Sequence, residues 1–115
     1  MMKWLARKGA VGGTARWAAQ GYESLSTENP GISGPELYRA LIHVRFTALP
    51  NADQEQFLMS IADQVIGLRG LVVAILTVEA GFTENTPQNQ RMFMEIIDEE
   101  LLKHGVPRDI AFGQS

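Results

Sequence analysis

Glu100 and His104 stand four positions apart, a spacing that brings a carboxylate and an imidazole to one side of a helix. Glu95, Asp98 and Glu99 are close by in sequence. A helical di-iron centre needs a Glu-x-x-His pair at i, i+3 from each of two helices, and here a single pair occurs at a different spacing. The pattern predicts a solvated helix face, with His104 where positive charge suits a helix C-terminus, and no metal site. His43, the other histidine, lies in an apolar run, where a hydrogen-bonded core histidine is expected. There is no cysteine and no Gly-x-Ser-x-Gly elbow to supply an activated nucleophile. No catalytic residue is assigned, and the chain reads as a non-enzyme.

Near the other end, Lys8-Gly9-Ala10-Val11-Gly12-Gly13-Thr14 has the glycine spacing and terminal threonine of a phosphate-gripping loop. Over these seven residues it resembles the deviant phosphate loop of partition-type ATPases. The resemblance implies backbone N–H groups around a nucleotide's phosphates and a lysine reaching them. Gly13 stands at the lysine position, leaving the phosphate charge uncompensated. The preceding Met1–Lys8 is charged and too short for the buried strand such a loop follows. No nucleotide or other cofactor is expected, and the glycines read as helix breakers that form a hinge.

What remains distinctive at that end is charge. Residues 1–22 carry Lys3, Arg7, Lys8 and Arg16 without an acid, while the rest holds six basic and thirteen acidic side chains. The net charge of −3 exerts no global pull toward nucleic acid. Both tryptophans, Trp4 and Trp17, fall in the basic leader. Four cations contribute about 4 kcal/mol at an anionic membrane, about 1 each, and three glycines spoil the leader as an amphipathic helix. A membrane surface is therefore disfavoured, as is nucleic acid, since four charges opposed by an acidic body leave a weak footprint. Trp4, Arg7, Lys8, Arg16 and Trp17 are the candidate interaction residues, for an acidic protein surface or a second copy of the chain.

The composition fits one soluble domain: 115 residues, 45% hydrophobic and 20% charged. The longest apolar run, Leu71–Val78, is far below the roughly 20 residues of a membrane-spanning helix. With no secretory apolar region and no cysteine, a cytoplasmic protein is expected.

The elements follow from spacing and punctuation. Thr86 and Pro87 start a helix whose stripe is Phe93, Ile96, Ile97 and Leu101, and Gly105 and Pro107 end it. Asn51 caps a second, with Phe57, Leu58, Ile61, Val65 and Leu68 on one face, and Gly67 or Gly70 marking a break. Ser33 and Pro35 open a third, with Leu37, Leu41, Val44 and Ala48 in a stripe that Tyr38, Ile42 and Leu49 widen. Residues 71–78 are apolar all round and read as a central helix, and residues 14–28 as another that "NPG" ends. Residues 1–13 are expected to offer one short turn at most, as a flexible arm on a domain of residues 14–115. Residues 106–115 read as a tail, with Ile110 and Phe112 able to fold back.

The fold expected is all-α, a small irregular bundle of four or five helices. The alternative is α+β, with short strands near 42–47 and 71–78, where β-branched residues and alternation leave the choice open. The function expected is a non-catalytic interaction or assembly protein, a homo-oligomer, using its basic Trp-bearing arm. A small ligand-binding or regulatory helical domain is the first alternative, and an enzyme using His43 the second.

Overall fold

A computed structural model describes residues 2–46, 52–80 and 87–113. Among these, every regular element is helical: α1 (Met2–Glu28), α2 (Gly34–Phe46), α3 (Ala52–Ala62), α4 (Gly67–Ala80), α5 (Pro87–Lys103) and the short α6 (Arg108–Phe112). The all-α bundle is the expected class. Both segments with strand character, within α2 and α4, are helical. In α2 the start signals at Ser33 and Pro35 prevail over the alternation at 42–46, because Leu37, Tyr38, Leu41, Ile42 and Phe46 form one buried helical stripe.

Side-chain pairs fix the helix directions. Gly12 lies against Ile96 and Arg16 approaches Glu100, so α1 and α5 run parallel. Gly21 meets Leu41 and Trp17 meets Arg45, so α1 and α2 are antiparallel. Arg39 grips Asp63 while His43 reaches Glu55, which turns α3 back along α2. Tyr38 meets Gly67 and Arg45 meets Glu79, so α2 and α4 are parallel. The five long helices therefore alternate in direction along the chain, and α5 closes the bundle against α1.

The core centres on α4, whose Leu68, Leu71, Val72, Ile75 and Leu76 are buried. Each such side chain contributes about 1.5–3 kcal/mol on leaving water. From α5 come Phe93, Ile97 and Leu101, three members of the stripe read from sequence. That helix ends as predicted at Gly105, where the Gly105 N–H donates to the Leu102 carbonyl and the Val106 N–H to the Leu101 carbonyl. This pair of bonds is the Schellman motif, and buried Val106 and Leu101 supply its apolar contact.

Four expectations are corrected. Residues 2–13 form no single turn and no glycine hinge: α1 is continuous from Met2. Three helical glycines cost about 1 kcal/mol each in an isolated helix. Tertiary packing outweighs that cost, since Val11, Thr14, Ala15, Ala18 and Ala19 are buried. A methyl would fit at Gly12, 3.7 Å from Ile96, whereas one at Gly21 would stand 2.5 Å from Leu41, so it is there that glycine permits the close approach of α2. The stripe from Phe57 to Leu68 is divided, because α3 ends at Ala62 and α4 begins at Gly67, one of the two expected break positions, so that Val65 and Leu68 lie beyond α3. Leu58 and Ala62 carry the burial in α3, and Phe57 is exposed. Val44 leaves the stripe of α2 and is also exposed. Finally, residues 106–112 are no tail, since Val106 and Ala111 are buried and α6 packs on α4. The caps Asn51 and Thr86, and Ala48 and Leu49 of the α2 stripe, lie outside the described residues.

Candidate functional site

The five candidate interaction residues divide into two groups. Trp4, Arg7 and Lys8 occupy the first turns of α1, and their side chains lie outside those described. Arg16 and Trp17 are engaged within the chain. Arg16 Nε stands 3.6 Å from Glu100 Oε2, and Arg45 stacks its guanidinium 4.6 Å from the Trp17 ring. The acid-free leader thus meets the acidic run of α5 inside one molecule.

Glu100 and His104 do share a side of α5, with His104 Nε2 3.4 Å from Glu100 Oε2. That oxygen is buried and accepts no hydrogen bond from either neighbour among the described residues. His43 departs from the core position expected of it. Its side chain is 71% exposed, and Nδ1 lies 3.5 Å from Glu55 Oε1. The stripe of α2 passes through residues 41, 42 and 46, leaving 43 and 44 on the outer face. Among the described residues, no three His, Asp or Glu side chains converge as a metal site requires.

Two arginine clamps hold the helices together. Arg45, which covers Trp17, also closes a two-point pair with Glu79, at 2.7 and 2.8 Å. Arg69 lies over the Phe112 ring at 4.5 Å and forms the same pair with Asp98, at 2.8 Å twice. A planar guanidinium suits both contacts, because its N–H fork matches a carboxylate while its face rests on a ring.

At the end of the bundle where α2 starts, α3 passes into α4 and α6 folds back, the surface holds an open hollow of about 390 Å³. Tyr38 forms its floor, and Asp63, Ile66, Asp109 and Ile110 stand around it. The Gly67 N–H donates to the Tyr38 hydroxyl at 2.7 Å. Burial raises the pKa of that hydroxyl above the ordinary tyrosine value, against the lowering effect of the Gly67 hydrogen bond. Gly67 has φ 78° and Gly113 φ 70°. A methyl at Gly67 would sit 2.5 Å from the Ala111 carbonyl oxygen, and one at Gly113 would overlap Ile66. The wall of the hollow is thus two backbone segments in direct contact, which only glycine permits.

The sequence pointed to Arg16 and Trp17 but gave no sign of the hollow or the clamps. The available hint was Tyr38 inside an apolar stripe, since a buried tyrosine hydroxyl needs a polar partner. Another, smaller hollow of about 300 Å³ lies on the first turns of α5, at Gln88, Arg91, Met92 and Glu95. No described helix is long and apolar enough to cross a membrane. Comparison of the chain with protein-family models, with curated proteins and with solved structures yields no match.

Proposed function

We propose that this chain is a non-catalytic assembly protein of the cytoplasm, which docks the basic first turns of α1 on an acidic protein surface, most simply that of a second copy. One observation carries the reading. The described side chains of α1 that enter the core begin at Val11, and Gly9 and Ala10 before it are exposed. Ahead of them the helix carries Lys3, Trp4, Arg7 and Lys8 and no acid. Of the six basic residues after residue 22, Arg39, Arg45 and Arg69 are each closed on a carboxylate. Positive charge is therefore concentrated at one tip, where it steers encounter with an acidic partner and weakens with salt.

Light scattering of the full chain against a Trp4→Ala, Arg7→Glu, Lys8→Glu variant tests this. The mass of the parent is expected to exceed one chain at low salt, and to fall in the variant and in high salt. A monomer in both proteins would remove self-assembly through the tip. Ligand binding in the Tyr38 hollow is the second reading. His43, on the outer face of α2, lines neither of the two hollows described above.

A further inference from the structure

We infer that the Tyr38 hollow is the receiving site for the tip of α1 from a second copy, so that the chain associates head to tail. This rests on the assembly reading above and names its partner surface. From Trp4 to Glu28, α1 rises roughly 36 Å at about 1.5 Å per residue. The hollow lies at the far end of α1, because α2 runs antiparallel to it and the hollow is built from the start of α2. One chain therefore cannot seat its own tip.

The two surfaces match in size and chemistry. A volume of about 390 Å³ falls within the roughly 300–1,000 Å³ of sites that enclose a small-molecule-sized group, ample for an indole ring. Val65, Ile66 and Ile110 offer an apolar wall, and Ile66 is 69% exposed. Asp109 lines the hollow, as does Asp63, whose carboxylate Arg39 holds at 2.6 Å. A seated tip sets Trp4 against an apolar wall. Arg7 and Lys8, one turn further along the helix, bring positive charge to Asp109. Because tip and hollow are different surfaces, the contact is heterologous and adds copies in a ring or a filament. A contact limited to one helix tip and one hollow belongs to the weak class, below about 1,200 Å², so a trapping experiment suits it better than a pull-down.

The chain has no cysteine, which makes single-cysteine trapping clean. Met2→Cys in one chain, with Trp4 and its cations intact, is mixed under mild oxidation with Ser33→Cys, at the edge of the hollow, in another. The disulfide between them is expected to form at least tenfold faster than with Glu99→Cys on the acidic face of α5. Trp4→Ala in the first chain or Asp109→Lys in the second is expected to slow it about tenfold. Equal rates at Ser33→Cys and Glu99→Cys, or a faster one at Glu99→Cys, would overturn the hollow as receiver. If the mass still fell on substitution of the tip, the assembly reading would stand without it. A monomeric parent that forms neither disulfide would overturn both.

Discussion

Arg45 and Arg69 each lay a guanidinium on an aromatic ring and close a two-point pair with a carboxylate, yet they carry different loads. Arg45 joins α1, α2 and α4 through Trp17 and Glu79, three helices that also bury apolar stripes of their own. Arg69 joins α4, α5 and α6 through Asp98 and Phe112, and α6 has only five residues. A single turn of helix does not persist alone in water. Its hold is therefore Arg69, buried Ala111 and the close passage of Gly67 past residues 111–113. The same contact set reinforces a large assembly in one place and retains a small part in the other.

The sharpest way to break this comparison is at the glycine contact. Gly67→Ala places a methyl 2.5 Å from the Ala111 carbonyl oxygen at a φ of 78°. It is expected to cost about 3 kcal/mol, read in thermal unfolding, with residues 108–112 losing amide-exchange protection first. Next comes Arg45→Ala, whose pair is the more buried of the two, with side-chain exposures of 23% and 29%. A loss of about 2 kcal/mol is expected, appearing as one cooperative fall in unfolding midpoint across the protein. Arg69→Ala is expected to lose about 1–2 kcal/mol globally and far more locally, so that amide exchange in α6 accelerates while α2 is unchanged. If both arginine variants loosened the same amides, the difference in load would be wrong.

Tyr38 lies between the two clamps and tests them through pH. Its hydroxyl has a raised pKa in the folded state, so folding binds that proton more tightly than the unfolded chain does. The stability this provides is complete below the ordinary tyrosine pKa of about 10 and is lost as pH rises through the higher folded value. Tyr38→Phe is expected to flatten that alkaline decline in urea titrations. It also leaves the Gly67 N–H without its acceptor, at a cost of about 1 kcal/mol near neutral pH. The smallest effect belongs to Arg39→Ala. Its pair with Asp63 is equally short, but both side chains are about half exposed. A change within about 0.5 kcal/mol is expected, since solvent and salt screen such a pair.

Where the sequence carried local signals, the fold was legible. Pro87, the stripe through Phe93, Ile97 and Leu101, and Gly105 located α5 because caps and period act over a few residues. At the junction of α3 and α4, Gly67 signalled the break, but Val65 and Leu68 kept the helical spacing, so the end of α3 at Ala62 was not legible. In α1 the glycines were read at their cost in isolation, while the compensation comes from Ile96 on the parallel α5. The candidate site was half legible. Charge segregation and the two tryptophans singled out the leader. Nothing local tells Arg16 that Glu100 will face it, or Arg45 that Glu79 will, because those pairings exist only once the helices have assembled.

The parallel packing of α1 on α5 also sets a timetable. α1 is glycine-rich and weakly helical by itself, and the surface that holds it is not made until Ile96 and Glu100 have been added. At synthesis rates of about 5–20 residues per second, Gly12 waits roughly 4–17 s for Ile96 to be made. During that interval the alanine face of α1 has only α2 and α4 to rest on, and the tip with Trp4 precedes any completed fold. A nascent chain therefore completes α1 well before the α5 surface that packs against it.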